Sequence, residues 1–335
     1  MISVVKSIVS KEIKTSKDIR TSKDVQIKEK GKIDWRKVKQ KAWADRFMYA
    51  MIAPVVVYFF IFRYIPMAWL RVAFYEFRIL RGFQGSEFVG FDNFRLFLNN
   101  PAFLQILWNT IWLNILNIMF VFTAPILFAI LLNEIARGKF KKIIQTISYL
   151  PHFLSTVVVV SMITTFLSPS VGFLNRVIRD LGGSAIHFLG DPQYFRPIMI
   201  SSSIWQGIGW GSIVYLSALT SIDQEQYEAA IIDGASRLKQ IWHITLPGIR
   251  NTIIVLLILQ VGSLLSVGFE RVWLLQNPQN LRVSEVLSTY IFRMGLQNFN
   301  FGLGSAAGLF NGVIGFVLVL FANKLSKKYS ETSLM

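Results

Sequence analysis

The chain has 335 residues, 53% of them hydrophobic and only 16% charged, against roughly 25% charged in an ordinary soluble domain, and its mean hydropathy is +0.47. It contains no cysteine, and its three histidines, His152, His187 and His243, stand far apart, so disulfides, thiolate metal sites and cysteine nucleophiles are excluded. The net charge of +16 does not mark a nucleic-acid-binding domain, because much of it lies in one arm beside an apolar segment.

That arm is residues 1–46, with 14 Lys+Arg and 6 Asp+Glu. Beside a membrane span such a segment is attracted to anionic lipid on the cytoplasmic face. It does not read as a secretory signal: the charged stretch is too long, and no small-residue cleavage site follows the first apolar run. Residues 1–33 are rich in Lys, Ser and Thr and read as solvated. Over 34–46, Trp35, Val38, Ala42 and Trp43 repeat at helical spacing behind Asp34, which predicts either an interfacial amphipathic helix or simply a charged flank.

Six apolar segments follow, near 47–69, 107–132, 143–167, 198–219, 252–275 and 302–322. Each matches the roughly 20 residues of helix that cross a hydrocarbon core. Lipid offers backbone groups no hydrogen bonds, so helix is the expected conformer. The runs are continuous rather than alternating, which argues against a transmembrane β-barrel. Pro54, Pro125 and Pro151 are candidate kinks in the first three spans. In the last span Gly304, Gly308 and Gly312 share a face, and the fourth carries Gly207, Gly209 and Gly211; small residues there predict close helix contacts.

With the N-terminus inside, the segments 1–46, 133–142, 220–251 and 323–335 hold 24 Lys+Arg, and 70–106, 168–197 and 276–301 hold 9. The bias predicts both termini in the cytoplasm. Arg63 and Arg271 fall near the outer ends of their spans, where long side chains snorkel.

The informative inner loop is 220–251. Asp223 is placed to cap a helix, with Gln226 at the capping-box position, and Gly234 to end it. Leu238, Ile241, Trp242 and Thr245 would form one face of a second helix, which Pro247 would stop before the fifth span. The loop contains Glu228-Ala229-Ala230, three residues, Gly234, nine residues, then Ile244-Thr245-Leu246-Pro247. With Asp233 and Ala235, this resembles the EAA signature of permease subunits of binding-protein-dependent ABC importers. Residues 145–152 and 240–249, and the terminus Ser330–Met335, resemble the carbohydrate-uptake branch of that family, of polysaccharide type and maltose-permease-like. The likeness spans 47–335 and leaves out the 1–33 arm.

The resemblance implies an all-α integral membrane protein: a six-transmembrane-helix ABC importer permease with a cytoplasmic coupling helix, in a bacterial cytoplasmic membrane. It implies a heterodimer with a second permease subunit, two cytoplasmic ABC ATPase subunits, an extracytoplasmic solute-binding protein and an oligosaccharide substrate. No cofactor is implied for this chain; ATP and Mg belong to the partner ATPase. Glu228 would face a basic residue of that ATPase, Ala229 and Ala230 would allow close approach, and Gly234 would form the bend; Asp233, Ala235, Ile244, Leu246 and Pro247 complete the coupling set. The alternative for Glu228 is a solvated helix charge. The chain contains no Gly-x4-Gly-Lys-Ser/Thr phosphate loop, no helical His-Glu-x-x-His and no nucleophile elbow, so the energy source is expected on another polypeptide.

For the substrate path the polar residues of the spans are candidates: Trp205 and Gln206 in the fourth, Gln260, Ser263, Ser266 and Glu270 in the fifth, then Trp210, Asn114, Asn117 and Asn311. Interhelical hydrogen bonding is the competing role for each. An ion-coupled secondary transporter and a membrane-embedded glycan enzyme are the rival functions. The first would need internal repeats, and the second convergent carboxylates, of which only Glu270 lies within a span.

Overall fold

The computed structural model describes residues 43–135, 138–262 and 268–329. The 1–33 arm, most of the 34–46 segment, Ser263, Ser266 and the terminus Ser330–Met335 lie outside the described residues. The chain falls into two compact units, Met1–Trp69 and Leu70–Met335.

The first unit carries most of the first span, helix α1, Arg46–Phe74. Every side chain from Arg46 to Met67 is exposed. An apolar helix whose side chains stay exposed over so long a run suits a bilayer, where each backbone N–H finds its acceptor within the helix; only at its far end are Val72 and Ala73 buried.

In the second unit, β1 (Tyr75–Glu76) pairs antiparallel with β2 (Glu87–Phe88), Tyr75 opposite Phe88. Helix α2 (Asp92–Leu98) follows, then α3, Phe103–Glu134, which is long and apolar enough to span. The third apolar segment is not one straight helix. It is broken into α4, Lys139–Phe153, and α5, Thr156–Phe166, bent by 99°. The break falls where Pro151 lies in a 3-10 turn and Ser155 caps α5 by accepting from the Val158 amide at 3.3 Å. The short α6 (Phe173–Asp180) leads to α7, Pro192–Thr220. The Asp191 carboxylate caps α7 by accepting from the Gln193 amide at 3.0 Å, with Pro192 in the first turn. At 29 residues α7 is long enough to span, though less apolar than α1 or α3.

Helix α8 is Gln224–Ile232; α9, Arg237–Gly248, meets α10, Arg250–Gly262, at a 60° bend. The fifth segment resumes at α11, Phe269–Leu275, and α12 (Leu281–Ser284) and α13 (Leu287–Phe292) lead to the last span, α14, Phe301–Tyr329. The all-helical membrane architecture expected from the sequence is borne out.

Proline acts here less as a breaker than expected. Pro54 sits inside an α-helical run. Three π-helical turns, Phe60–Tyr64, Asn117–Phe122 and Ile241–Thr245, each end just before Pro66, Pro125 or Pro247. A proline ring crowds the carbonyl one turn back and donates no hydrogen bond; the wider π turn makes room for it. Pro247 therefore does not stop α9, and the bend comes one residue after Gly248.

Two apolar cores lie at opposite ends of α7. One joins Phe195 and Met199 to Leu113, Val160, Val272, Leu275 and Val286. The other joins Tyr215 and Leu219 to Ile126, Ala129, Ile130, Ile222 and Ile249. A third cluster, around Phe97, Ile106, Leu287, Tyr290 and Ala307, ties α2, α3, α13 and α14. In lipid such packing holds helices by close van der Waals fit rather than by escape from water. Buried polar groups set the register: Asn109 donates to the carbonyls of Arg282 at 3.0 Å and Glu285 at 3.1 Å, and Thr110 Oγ1 accepts from the Leu287 amide at 2.9 Å. Glu285 pairs with Arg293 at 2.9 Å.

The glycine stripes divide. A Cβ on Gly209 would strike the Ser148 carbonyl, and one on Gly211 would come within 3.0 Å of the Pro125 ring, so both mark close helix approaches. Gly207 meets nothing within 4 Å. In α14 only Gly304 of the expected three makes such a contact, against the backbone of Gly295; a Cβ on Gly308 or Gly312 would meet nothing within 4 Å.

Candidate functional site

The coupling loop folds through local backbone chemistry. Asp223 caps α8, but its carboxylate accepts from the Glu225 amide at 3.0 Å rather than from that of Gln226, so the cap is not the expected box. At the other end Gly234 has φ +73°, a conformation that costs other L-residues about 1–2 kcal/mol. Its amide donates to Ile231 O at 3.0 Å, and the Ala235 amide donates to Ala230 O at 2.8 Å. This pair of bonds is a Schellman stop, so Ala230, Gly234 and Ala235 work together through backbone atoms.

Side chains then fix the elbow. Tyr227 Oη and Thr245 Oγ1 share a hydrogen bond of 3.0 Å, and buried Gln240 donates to Ala235 O at 2.9 Å. Arg237 pairs with Glu134 at 3.3 Å, linking α9 to the end of α3. Ile244 and Leu246 pack on the core of Ile222 and Ile249. By contrast Glu228, Ala229, Asp233, Gly234 and Pro247 are exposed. The expected face of α9 is split: Thr245 is buried and Ile241 half-buried, whereas Leu238 and Trp242 are 70% and 67% exposed. The π turn over Ile241–Thr245 shifts the helical phase, so the inward stripe runs Gln240, Ile241, Ile244, Thr245, Ile249. Glu228 borders a polar cleft of about 470 Å³ with Glu134, Lys141, Tyr227 and Arg237.

A second feature lies between the two cores of α7. A cavity of about 550 Å³ is bounded by Asn117, His152, Ser203, Gln206, Glu270 and Arg271. Its size falls within the ~300–1,000 Å³ range of small-molecule sites. Gln206 stands 14 residues from each end of α7, about 21 Å along the axis at 1.5 Å per residue, hence at mid-depth along that helix. The His152 ring lies flat on Trp210, with centroids 4.6 Å apart and an interplanar angle of 3°. Arg271 is buried, and its Nη1 donates to Ser202 and Ser203 Oγ, each at 3.0 Å, while Nη2 donates to Gln206 Oε1. The amide of Gln206 donates in turn to Leu154 O at 2.7 Å, in the break between α4 and α5.

Of the residues expected along the substrate path, Gln206, Glu270 and Asn117 meet at this cavity. Trp205 does not; it borders a separate apolar cavity with Val159, Met162 and Phe166. Gln260 is exposed on α10 and is not among the residues bounding the polar cavity. Asn114 is buried and donates to Thr110 O at 2.6 Å. Asn311 borders a third cavity with Ser288 and Gly308. Arg271 is a correction: it does not snorkel outward but turns into the protein, because three oxygen acceptors wait for it on α7. His152 and Ser203 also belong to the cavity and were missed.

Residues 122–331, nearly two thirds of the chain, match the model of the family described as binding-protein-dependent transport system inner membrane component. The chain belongs to that family. Protein LplB of Bacillus subtilis (strain 168) is 45% identical over 290 residues, covering 87% of this chain and 91% of LplB. The polygalacturonan/rhamnogalacturonan transport system permease protein YteP of the same organism is 44% identical, covering 86% and 89%. A chain of a solved bacterial alginate ABC transporter, in complex with an alginate pentasaccharide-bound periplasmic protein, superposes with a TM-score of 0.82 at 41% identity, covering 90% of this chain and all of that one. This transport system inner membrane component is thus an ABC importer permease, a membrane-embedded transport component rather than an enzyme, and its ATPase is a separate polypeptide.

Proposed function

We propose that the chain is one of two permease subunits forming a heterodimeric pore in a bacterial cytoplasmic membrane, with both termini in the cytoplasm. An extracytoplasmic solute-binding protein delivers an oligosaccharide, and two ATPase subunits drive alternating access. The observation that carries this reading is the divided coupling loop. Ile244 and Leu246 are anchored in the permease core, while Glu228 and Ala229 face outward. A motif half built in and half presented is what mechanical docking to a soluble partner requires. The carbohydrate substrate is supported by the relatives, whose names specify polygalacturonan/rhamnogalacturonan, arabinooligosaccharides and alginate. ATP binding in the partner subunits would draw the two coupling loops together and open the pore outward; hydrolysis would reset it. The bounding of the mid-depth cavity by Gln206 and Glu270 supports it as the sugar path, with the flat His152–Trp210 pair as a ring-stacking surface.

The test is uptake of radiolabelled oligosaccharide into proteoliposomes holding both permeases and the ATPase. Uptake is expected to need ATP and the binding protein together; uptake driven by an ion gradient without ATP would overturn the reading. Orientation has its own check. The chain has no cysteine, and Ser236 is exposed at the start of α9. Ser236→Cys should react with an impermeant maleimide only after the cells are permeabilised, and labelling of intact cells would reverse the topology.

A further inference from the structure

We propose that Arg271 selects carboxylate-bearing sugars, so that the mid-depth cavity takes a uronate unit of an acidic oligosaccharide. The inference rests on the carbohydrate-import reading above and deepens it. A guanidinium buried at membrane depth is costly unless its charge is compensated. Among the described residues no carboxylate lies within ion-pair distance of Arg271, and its three hydrogen-bond acceptors, Ser202, Ser203 and Gln206, are all neutral. Glu270 borders the same cavity and lends Arg271 Coulombic support from a distance, but the two form no ion pair, so the fork itself stays unmatched by a carboxylate.

The acceptors hold the guanidinium rather than discharge it. Ser202 and Ser203 each spend their own hydroxyl hydrogen on Met199 O, at 2.9 and 2.8 Å, which leaves their oxygens to accept. Gln206 is turned the same way by its bond to Leu154 O. Three preset acceptors thus fix the fork while its positive charge remains, and a fixed guanidinium matches the planar geometry of a carboxylate. Beside it the His152 ring, backed by Trp210, offers a flat face to a pyranose ring, and Glu270 and Asn117 offer groups for its hydroxyls. A neutral sugar could use the face and the hydroxyl partners, but it would leave the fork of Arg271 without a carboxylate in direct contact and with only the more distant Glu270 as counter-charge.

The experiment uses the reconstituted importer with its binding protein. The probes are a panel of galacturonate, glucuronate and mannuronate tetrasaccharides, each paired with its carboxyl-reduced neutral form. The parent is expected to take up at least one acidic member about tenfold or more faster than its reduced partner, the scale of one charge-assisted bond. Arg271→Gln should erase that preference, and Arg271→Lys should keep part of it, with co-purification of the ATPase confirming assembly. If the parent handles acidic and reduced forms alike, or if an assembled Arg271→Gln keeps the preference, Arg271 does not select carboxylates and the import reading stands. If neither the panel nor its reduced forms enters under ATP with binding protein present, this inference falls, and the uptake assay with other oligosaccharides decides the import reading by itself. Should Arg271→Gln fail to assemble, Arg271→Lys decides: an assembled Arg271→Lys that keeps the parent's full preference overturns the assignment, and a reduced preference supports it.

Discussion

Glu228→Lys is expected to abolish transport while leaving the permease folded. In the isolated chain Glu228 is exposed, on a helix whose fold is set by Asp223 at one end and the Gly234 turn at the other. Folding therefore asks nothing of its charge. Docking does: if Glu228 meets a basic residue in an ATPase groove, reversal replaces a buried pair by two like charges, and changes of this kind cost about 2–5 kcal/mol or more, a fall in affinity of roughly thirty- to several thousand-fold. Co-purification of the ATPase with a tagged permease should be lost, the variant's thermal stability should match the parent's, and uptake should fall to background. Parental uptake by the variant would remove Glu228 from the mechanism.

Gly209→Val should damage the protein itself. The Gly209 backbone meets the Ser148 carbonyl so closely that even a Cβ has no room, and the obstacle is main chain, which no rotamer change can move. Overpacking of a tight contact costs about 1–3 kcal/mol, and valine adds two methyl groups to the clash. The expected result is poor recovery of the permease from membranes and a melting temperature lowered by several degrees in detergent. Gly207→Ala, two residues away where a Cβ meets nothing within 4 Å, should be recovered and melt like the parent. Equal behaviour of the two variants would mean that α4 does not rest on α7 at Gly209.

The sequence made the spans and the coupling loop legible because each is written locally. Lipid forces one conformer on a long apolar run, and a Gly at the end of a short helix specifies its own turn. Elsewhere the deciding contact was remote. The break at Pro151 looks, in sequence, like any proline in an apolar run; Pro125 has the same surroundings and α3 continues through it. Which of them bends its helix depends on whether a π turn takes up the crowding. Counting at 3.6 residues per turn puts Leu238 and Trp242 on one face with Ile241 and Thr245, and a π turn changes the count. Arg271 reads as a snorkelling side chain in sequence because its acceptors lie 65 to 69 residues away on α7. Only the adjacency of a glutamate and an arginine in an apolar stretch hinted at a polar interior. Trp205 and Gln206 are neighbours, yet they face different cavities, which spacing alone would have shown had the face of α7 been known.

Because α7 is divided between two separate apolar cores, a pull on it need not move both at once. The two plugs stand like doors at opposite ends of one rod, with a polar cavity between them. One plug includes Ile222 and Ile249, the two ends of the coupling elbow. The other is built around Phe195 and Val272 and has no residue in that elbow. A pull from the nucleotide side therefore loads one door directly and the other only through the rod between them. The two ends of the permease can therefore answer that pull one after the other rather than together.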